Sequence, residues 1–224
     1  MTAALTPDEL DAIALFPLPR VVWFPATRLP LHVFEARYRR MIADCLEQGR
    51  LVLAVTQIRP EWKGDYAGQP PIQEISGAGR ITRHRRNPDG TYDIDLLGVS
   101  RVRLRELDPA ELPYRRAHAE LLGDRHPDGG VKRAELGALW SLASQIGQQV
   151  QRIDGRFSLR ATPTDPPAIL ADRIADQLVT EPDVRQQLLE TLDVEKRVEL
   201  VRVHLARLHL ALLATEGASA RTLH

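Results

Sequence analysis

The chain has 224 residues, 43% hydrophobic and 27% charged, an ordinary globular composition with apolar material for a sizeable core. Its 30 basic and 30 acidic side chains cancel to a formal charge of +0, which argues against general electrostatic affinity for nucleic acid or an anionic membrane. A single cysteine, Cys45, excludes an intramolecular disulfide framework and a multi-thiolate metal site, and fits a reducing compartment.

The N-terminal run MTAALTPDELDAIALF carries Asp8, Glu9 and Asp11 and no basic residue, the reverse of a secretory signal, so a cytoplasmic location is expected. From Ala12 to Ala119 short apolar runs alternate with proline and glycine stops, the punctuation of a β-rich unit, bounded here at residues 12–122. Pro17, Pro19, Pro25 and Pro30 make its first strands short, bent or at a sheet edge, because proline cannot donate to a ladder. One helix interrupts it: Tyr38, Met41, Ile42, Cys45 and Leu46 recur at helical spacing, and Gly49 stops them.

Gly79–Leu107 reads as a long hairpin closed by Asn87-Pro88-Asp89-Gly90. Its return strand alternates Tyr92, Ile94 and Leu96 with Asp93 and Asp95, then Val102 and Leu104 with arginines; the phase change predicts a bulge or bend around Gly98. After the polar stretch Gly123–Gly130 the period becomes helical. Residues 131–214 are read as a helical bundle, with faces Leu136–Val150, Ile169–Leu178 and Val194–Leu212, and residues 215–224 as a disordered tail. The late apolar run LARLHLALLA is about ten residues, broken by Arg207 and His209, where a membrane span needs about 20.

Catalytic constellations are missing from the pattern. There is no P-loop, and Gly77-Ala78-Gly79 leads into a strand and not a helix, so it reads as a tight backbone bend and not as a dinucleotide site. Ser100 in GVSRV makes no nucleophile elbow. Cys45 lies on an apolar helix face and reads as a structural thiol. His204 and His209, five apart, sit on different faces of their helix, so no metal site is nominated, and no cofactor is expected.

Two features could bind a partner. Arg80, Arg83, Arg85, Arg86, Arg101, Arg103 and Arg105 fall on the hairpin strands and could follow a phosphate backbone, although stacking aromatics are nearly absent there and Asp93, Asp95 and Glu106 offset the charge. In the loop RPEWKGDYAGQPP, Trp62 and Tyr66 sit among glycine, proline and charge; they either anchor a partner or fold back onto the β-rich unit.

Several segments together carry a resemblance. LFPLPRVVWFPATRLPLHVFEARYRRMIADCLEQGR resembles the opening of the N-terminal domain of Lon-type ATP-dependent proteases, GAGRITRHRRNPDGTYDIDLLGVSRVRLREL its glycine-punctuated strand pair, and ILADRIADQLVTEPDVRQQLLETLDVEKRVELV its helical part. The resemblance runs from Leu15 to Leu212 and implies an α+β fold: a PUA-like, mostly antiparallel β-barrel with one inserted helix, followed by a C-terminal helical bundle. It makes Pro19, Pro25, Pro30, Phe34, Glu35, Arg37, Tyr38 and Gly79 architectural residues, with Glu35 opening its helix at the positive end. It brings no catalytic residues. The sequence stops before any ATPase or protease domain, so the expectation is a stand-alone, non-catalytic module that binds unfolded or partner protein segments, with a Lon-type protease as an associate. RNA binding by Arg101, Arg103 and Arg105 is the alternative, since PUA-like barrels elsewhere bind RNA.

Overall fold

The structure, a computed structural model, describes residues 3–64, 68–108, 111–126 and 130–221, with side chains to residue 214. It divides into two units, residues 1–123 and 124–224.

The first unit contains α1 (Pro7–Leu10), β1 (Ile13–Leu18), β2 (Arg28–Val33), α2 (Ala36–Glu47), β3 (Val52–Gln57), β4 (Ile75–Arg86), β5 (Tyr92–Glu106) and β6 (Arg116–Leu122). Its strands form one mixed sheet in the order β2-β5-β4-β3-β1-β6, and β5 pairs with β6 as well. The β1–β3 pair is parallel, with Leu15 opposite Ala54; the other strand pairs are antiparallel. Ile13 and Leu15 enter one apolar cluster with Val52 and Ala54, while Ala14 and Phe16 enter another with Leu53 and Val55. Both faces of this pair are therefore covered, which is why its strands read as unbroken apolar runs and not as alternation.

The helix expected from Tyr38 to Leu46 is α2, and it buries Tyr38, Met41, Ile42 and Cys45 against the second cluster. Sequence reading placed one helix in this unit; α1 is a second. There the Thr6 N–H donates to the Glu9 carboxylate at 2.9 Å, a reciprocal cap that closes one short turn.

The hairpin of β4 and β5 turns at Asn87–Gly90, where Gly90 has φ of +83° and its N–H donates to the Asn87 carbonyl at 3.0 Å. The expected irregularity near Gly98 is present: Gly79 faces Gly98 while Ala78 faces Ser100, leaving Val99 as the extra residue. The Gly77-Ala78-Gly79 sequence is not a tight bend. It is extended strand, crossed closely by the segment Val22–Thr27. The Trp23 carbonyl fills the place of a Gly77 β-carbon, the Phe24 carbonyl that of a Gly98 β-carbon, and the Trp23 ring lies over Gly79. The segment is braced locally by the Trp23 indole N–H to the Thr27 carbonyl (3.3 Å) and the Thr27 hydroxyl to the Phe24 carbonyl (2.8 Å).

The second unit contains α3 (Arg133–Ile153), α4 (Pro167–Leu178), α5 (Pro182–Glu190) and α6 (Val194–Arg221). Their inward stripes include Leu139, Ala143 and Ile146 on α3, Leu170 and Ile174 on α4, and Val194, Val198, Val201 and Leu205 on α6. At their centre Arg197 is fully buried, donating to the Asp124 carboxylate and the Thr191 carbonyl, each at 2.8 Å, and pairing with buried Asp172 at 3.3 Å. The backbone of α6 continues as helix to Arg221, across most of the stretch for which disorder was expected; residues 222–224 lie outside the described residues.

Candidate functional site

A cleft in the first unit has a volume of about 770 Å³. One wall is the loop between β3 and β4. Its stem is fixed by main-chain pairing of Ile58 with Ile72, by the Arg59 N–H to the Pro71 carbonyl (2.9 Å), and by the Arg59 guanidinium to the Ile72 carbonyl (3.0 Å). Above the stem the Trp62 N–H closes a turn on the Arg59 carbonyl (3.0 Å), and the indole lines the cleft, 42% exposed. Pro17 near the end of β1 and Arg37 and Tyr38 in the first turn of α2 also line it. The β5–β6 connection contributes Leu107, Leu112, Pro113, Tyr114 and Arg115.

The polar groups of these walls are held. The Tyr38 hydroxyl donates to the Pro17 carbonyl (3.3 Å), and its ring packs on Phe16 at 4.3 Å and under the Arg37 guanidinium at 4.6 Å. Arg37 also donates to the Glu35 carboxylate (3.0 Å); Glu35 thus stands at the α2 N-cap position with its carboxylate turned to Arg37, without a side-chain cap bond. Arg115 donates to Pro70 O and to Glu106, both at 2.7 Å. The Tyr114 hydroxyl donates to Asp44 (2.9 Å), and burial together with that carboxylate pushes its phenol well above the ordinary range. Asp44 is itself held by Arg40 (2.7 Å). What is left open to a ligand includes the Trp62 indole and Pro113, beside Arg37 and Arg115, whose charges already face carboxylates.

The sequence-nominated residues do not all meet here. Trp62 does, with Arg37 and Tyr38, which had been read as architectural. Tyr66 lies outside the described residues. Arg101 is buried, 2% exposed, so the three arginines of β5 form no continuous solvent-facing stripe; Arg103 and Arg105 are exposed, and none of the three lines the cleft. Among the other hairpin arginines, Arg80 is bound to Glu9 (2.9 Å), Arg83 to Asp95 (3.3 Å) and Arg85 to Asp93 (2.6 Å). His32 adds a 2.7 Å contact to Asp93, and the hydrogen bonds from His32, Arg85 and Asn87 hold that carboxyl below its usual range.

The remaining motif residues shape backbone or surface. Pro30 lies in β2 at the end of the sheet order, opposite Asp95 on its single partner strand; Pro19 is exposed just after β1, and Pro25 belongs to the crossing segment. Phe34 is not a core side chain: it is 65% exposed, with its ring 6.4 Å from that of His32. Sequence reasoning missed Pro17, Leu112, Pro113 and Tyr114 as cleft residues. The run LPY between two strands was the available signal. Cys45 is buried, and burial pushes its thiol up to about 11, the opposite of an activated nucleophile. Among the described residues no group of three His, Cys, Asp or Glu side chains could hold a metal ion, and no helix is long and apolar enough to cross a membrane.

Comparison with known proteins gives these features a family. The Lon protease of Desulfosudis oleivorans is 26% identical over 201 residues, 88% of this chain and 24% of that protein. The Lon protease of Roseiflexus castenholzii is 28% identical over 199 residues, 87% of this chain and 24% of that one. The chain thus spans about a quarter of the length of these relatives. Among solved structures, a Lon N-terminal domain protein from Xanthomonas campestris superposes with a TM-score of 0.59 at 22% identity, covering 84% of this chain and 95% of that one. The N-terminal domain of the Mycobacterium avium complex Lon protease gives 0.60 at 12% identity, covering 87% and 98%. These likenesses establish the fold. A model of the ATP-dependent protease La (LON) substrate-binding domain matches residues 12–207, and the chain belongs to that family.

Proposed function

We propose that the chain binds extended, apolar segments of unfolded protein in the cleft lined by Trp62, Pro113 and Tyr114, and does no chemistry of its own. The observation that carries this is the cleft: the Trp62 indole stands 42% exposed in its lining beside half-buried Tyr114 and exposed Pro113, while Arg37 and Arg115 already hold Glu35 and Glu106. Such a surface rewards ring stacking and desolvation of apolar side chains over any particular charge. Membership of the Lon substrate-binding family supports the same reading, with a Lon-type proteolytic system in the cytoplasm as its setting. The circuit of pairings from β5 through β4, β3, β1 and β6 back to β5 supports reading the sheet as a PUA-like barrel, whose rim the cleft occupies. Nucleic-acid binding is the weaker reading, because Arg80, Arg83 and Arg85 each hold a carboxylate and Arg101 is buried.

The test is titration of the full chain with reduced, carboxymethylated α-lactalbumin, which stays unfolded, against the native form. Binding of the unfolded form alone is expected, with Trp62→Ala weakening it about tenfold, the scale of a truncated aromatic anchor. Equal affinity for both forms, or no effect of Trp62→Ala, rejects the site.

A further inference from the structure

Resting on that reading of the cleft, we infer that Gly64 is a positioning residue, whose missing side chain lets the Trp62 indole lie where it can face a bound segment. The loop stem fixes the Trp62 main chain through its bond to the Arg59 carbonyl (3.0 Å), so the direction of the ring depends on what lies against it. Gly64 lies against the six-membered half of the indole. A β-carbon at Gly64 would overlap Trp62 Cζ2 and stand 2.7 Å from Cε2 and 3.0 Å from Cη2. Backbone freedom does not account for glycine at this position, because its φ is outside the left-handed region; among the described glycines, Gly49, Gly90 and Gly130 are those with positive φ. The close approach of the ring does account for it.

The obstacle to a side chain at Gly64 is the far end of the Trp62 side chain and not main chain. A methyl group therefore turns the ring away at little cost to the fold, whereas the same change at Gly77 or Gly98 meets a carbonyl that cannot move. Gly64→Ala thereby separates placement of the ring from stability. The segment that benefits from a fixed ring is one laying an aliphatic or aromatic side chain against Trp62, because ring–ring and ring–aliphatic contacts depend on the angle the plane presents.

The experiment uses the full chain and reduced, carboxymethylated α-lactalbumin as probe. Three variants are compared with the parent: Gly64→Ala, Trp62→Ala and the double substitution. Gly64→Ala is expected to melt with the parent, to change the acrylamide quenching assigned to Trp62 by difference from Trp62→Ala, and to raise Kd about fivefold, short of full anchor loss. In the Trp62→Ala background the same change is expected to add nothing, since Gly64 acts through the ring. Parent-like binding by Gly64→Ala, with Trp62→Ala still defective, overturns the inference and leaves the cleft assignment standing. An additive loss in the double variant, or a lowered melting temperature for Gly64→Ala, also overturns it by assigning the glycine to the loop fold. Parent-like binding by Trp62→Ala removes the cleft assignment itself.

Discussion

The Trp23 carbonyl oxygen occupies the space that a β-carbon on Gly77 would need, so the run VVWFPAT and the run GAG are two halves of one contact. Trp23 is 1% exposed and Phe24 is fully buried; their side chains anchor the crossing segment while its carbonyls press on the strand backbone. A methyl group at Gly77 has only main chain to displace. Gly77→Ala should destabilise the chain by roughly 3 kcal/mol or more, as backbone clashes in a core do. Gly123→Ala, with nothing within 4 Å of the added carbon, should stay within about 0.5 kcal/mol. Urea midpoints for the two variants decide it, and equal midpoints would show that the segment lifts off freely.

Glu9 and Arg80 join the N-terminal turn to β4. The Arg80 guanidinium, ahead of the bonds from Thr6, lowers the Glu9 carboxyl from 4.5 to about 2. Because the folded value lies below the unfolded one, this stabilisation is complete above about pH 4.5 and is lost as pH falls toward 2. Glu9→Gln should cost on the order of 1 kcal/mol near neutral pH, after allowance for partial exposure, and should flatten stability against pH across that window. Guanidinium titrations at several acidic pH values measure the difference; parallel curves for parent and variant would mean the pair contributes nothing.

The order of elements was legible in the chain because each has a local cause. Helical spacing from Tyr38 to Leu46, the Asn87–Gly90 turn and the phase change at Gly98 all depend on residues a few positions apart. Even α1 has its signal in Thr6-Pro7-Asp8-Glu9, a threonine followed by glutamate three residues on. What could not be read depends on residues far apart. Nothing near Gly77 announces Trp23, and the cleft brings Pro17, Trp62 and Tyr114 together from three separate stretches.

Arg101, Arg103 and Arg105 show the same limit. Alternation puts all three on one face of β5, yet only Arg101 is buried. It pairs across to Gly77, whose open face is the one Val22–Thr27 covers, so Arg101 lies beside that segment while its successors run out toward the strand end. Arg101→Ala should therefore destabilise by roughly 2 kcal/mol or more, whereas Arg103→Glu with Arg105→Glu should stay within about 1 kcal/mol. Urea midpoints for the two variants would expose an error if the surface pair proved the costlier.

Cys45 can be tested as a structural thiol. It is 6% exposed, and burial, with the neighbouring Asp44 carboxylate, raises its thiol from 9.0 to about 11. At about pH 8 the thiolate is then on the order of one part in a thousand, and what little forms is shielded. Ellman's reagent should react with the folded chain at least about a hundredfold more slowly than with the chain in urea. Comparable rates would place the thiol at an accessible site.

In the helical unit the decisive group is Arg197, whose guanidinium is shared by Asp124, Asp172 and the Thr191 carbonyl. Asp172 is 2% exposed, so removing the cation takes the paired positive charge from a buried carboxylate. Arg197→Met should cost roughly 3–5 kcal/mol, the range for breaking a buried pair from one side. Arg197→Lys should lose much of the same stability, because an ammonium cannot reproduce the planar fork that reaches three acceptors from one position. Replacing both partners, Arg197→Met with Asp172→Leu, should recover part of the loss by removing the more deeply buried of its two carboxylates. The helical ellipticity of the three variants against urea tests the scheme. If the double variant is less stable than Arg197→Met alone, the arginine acts mainly through the Thr191 carbonyl and Asp124, and Asp172 is not the charge it serves.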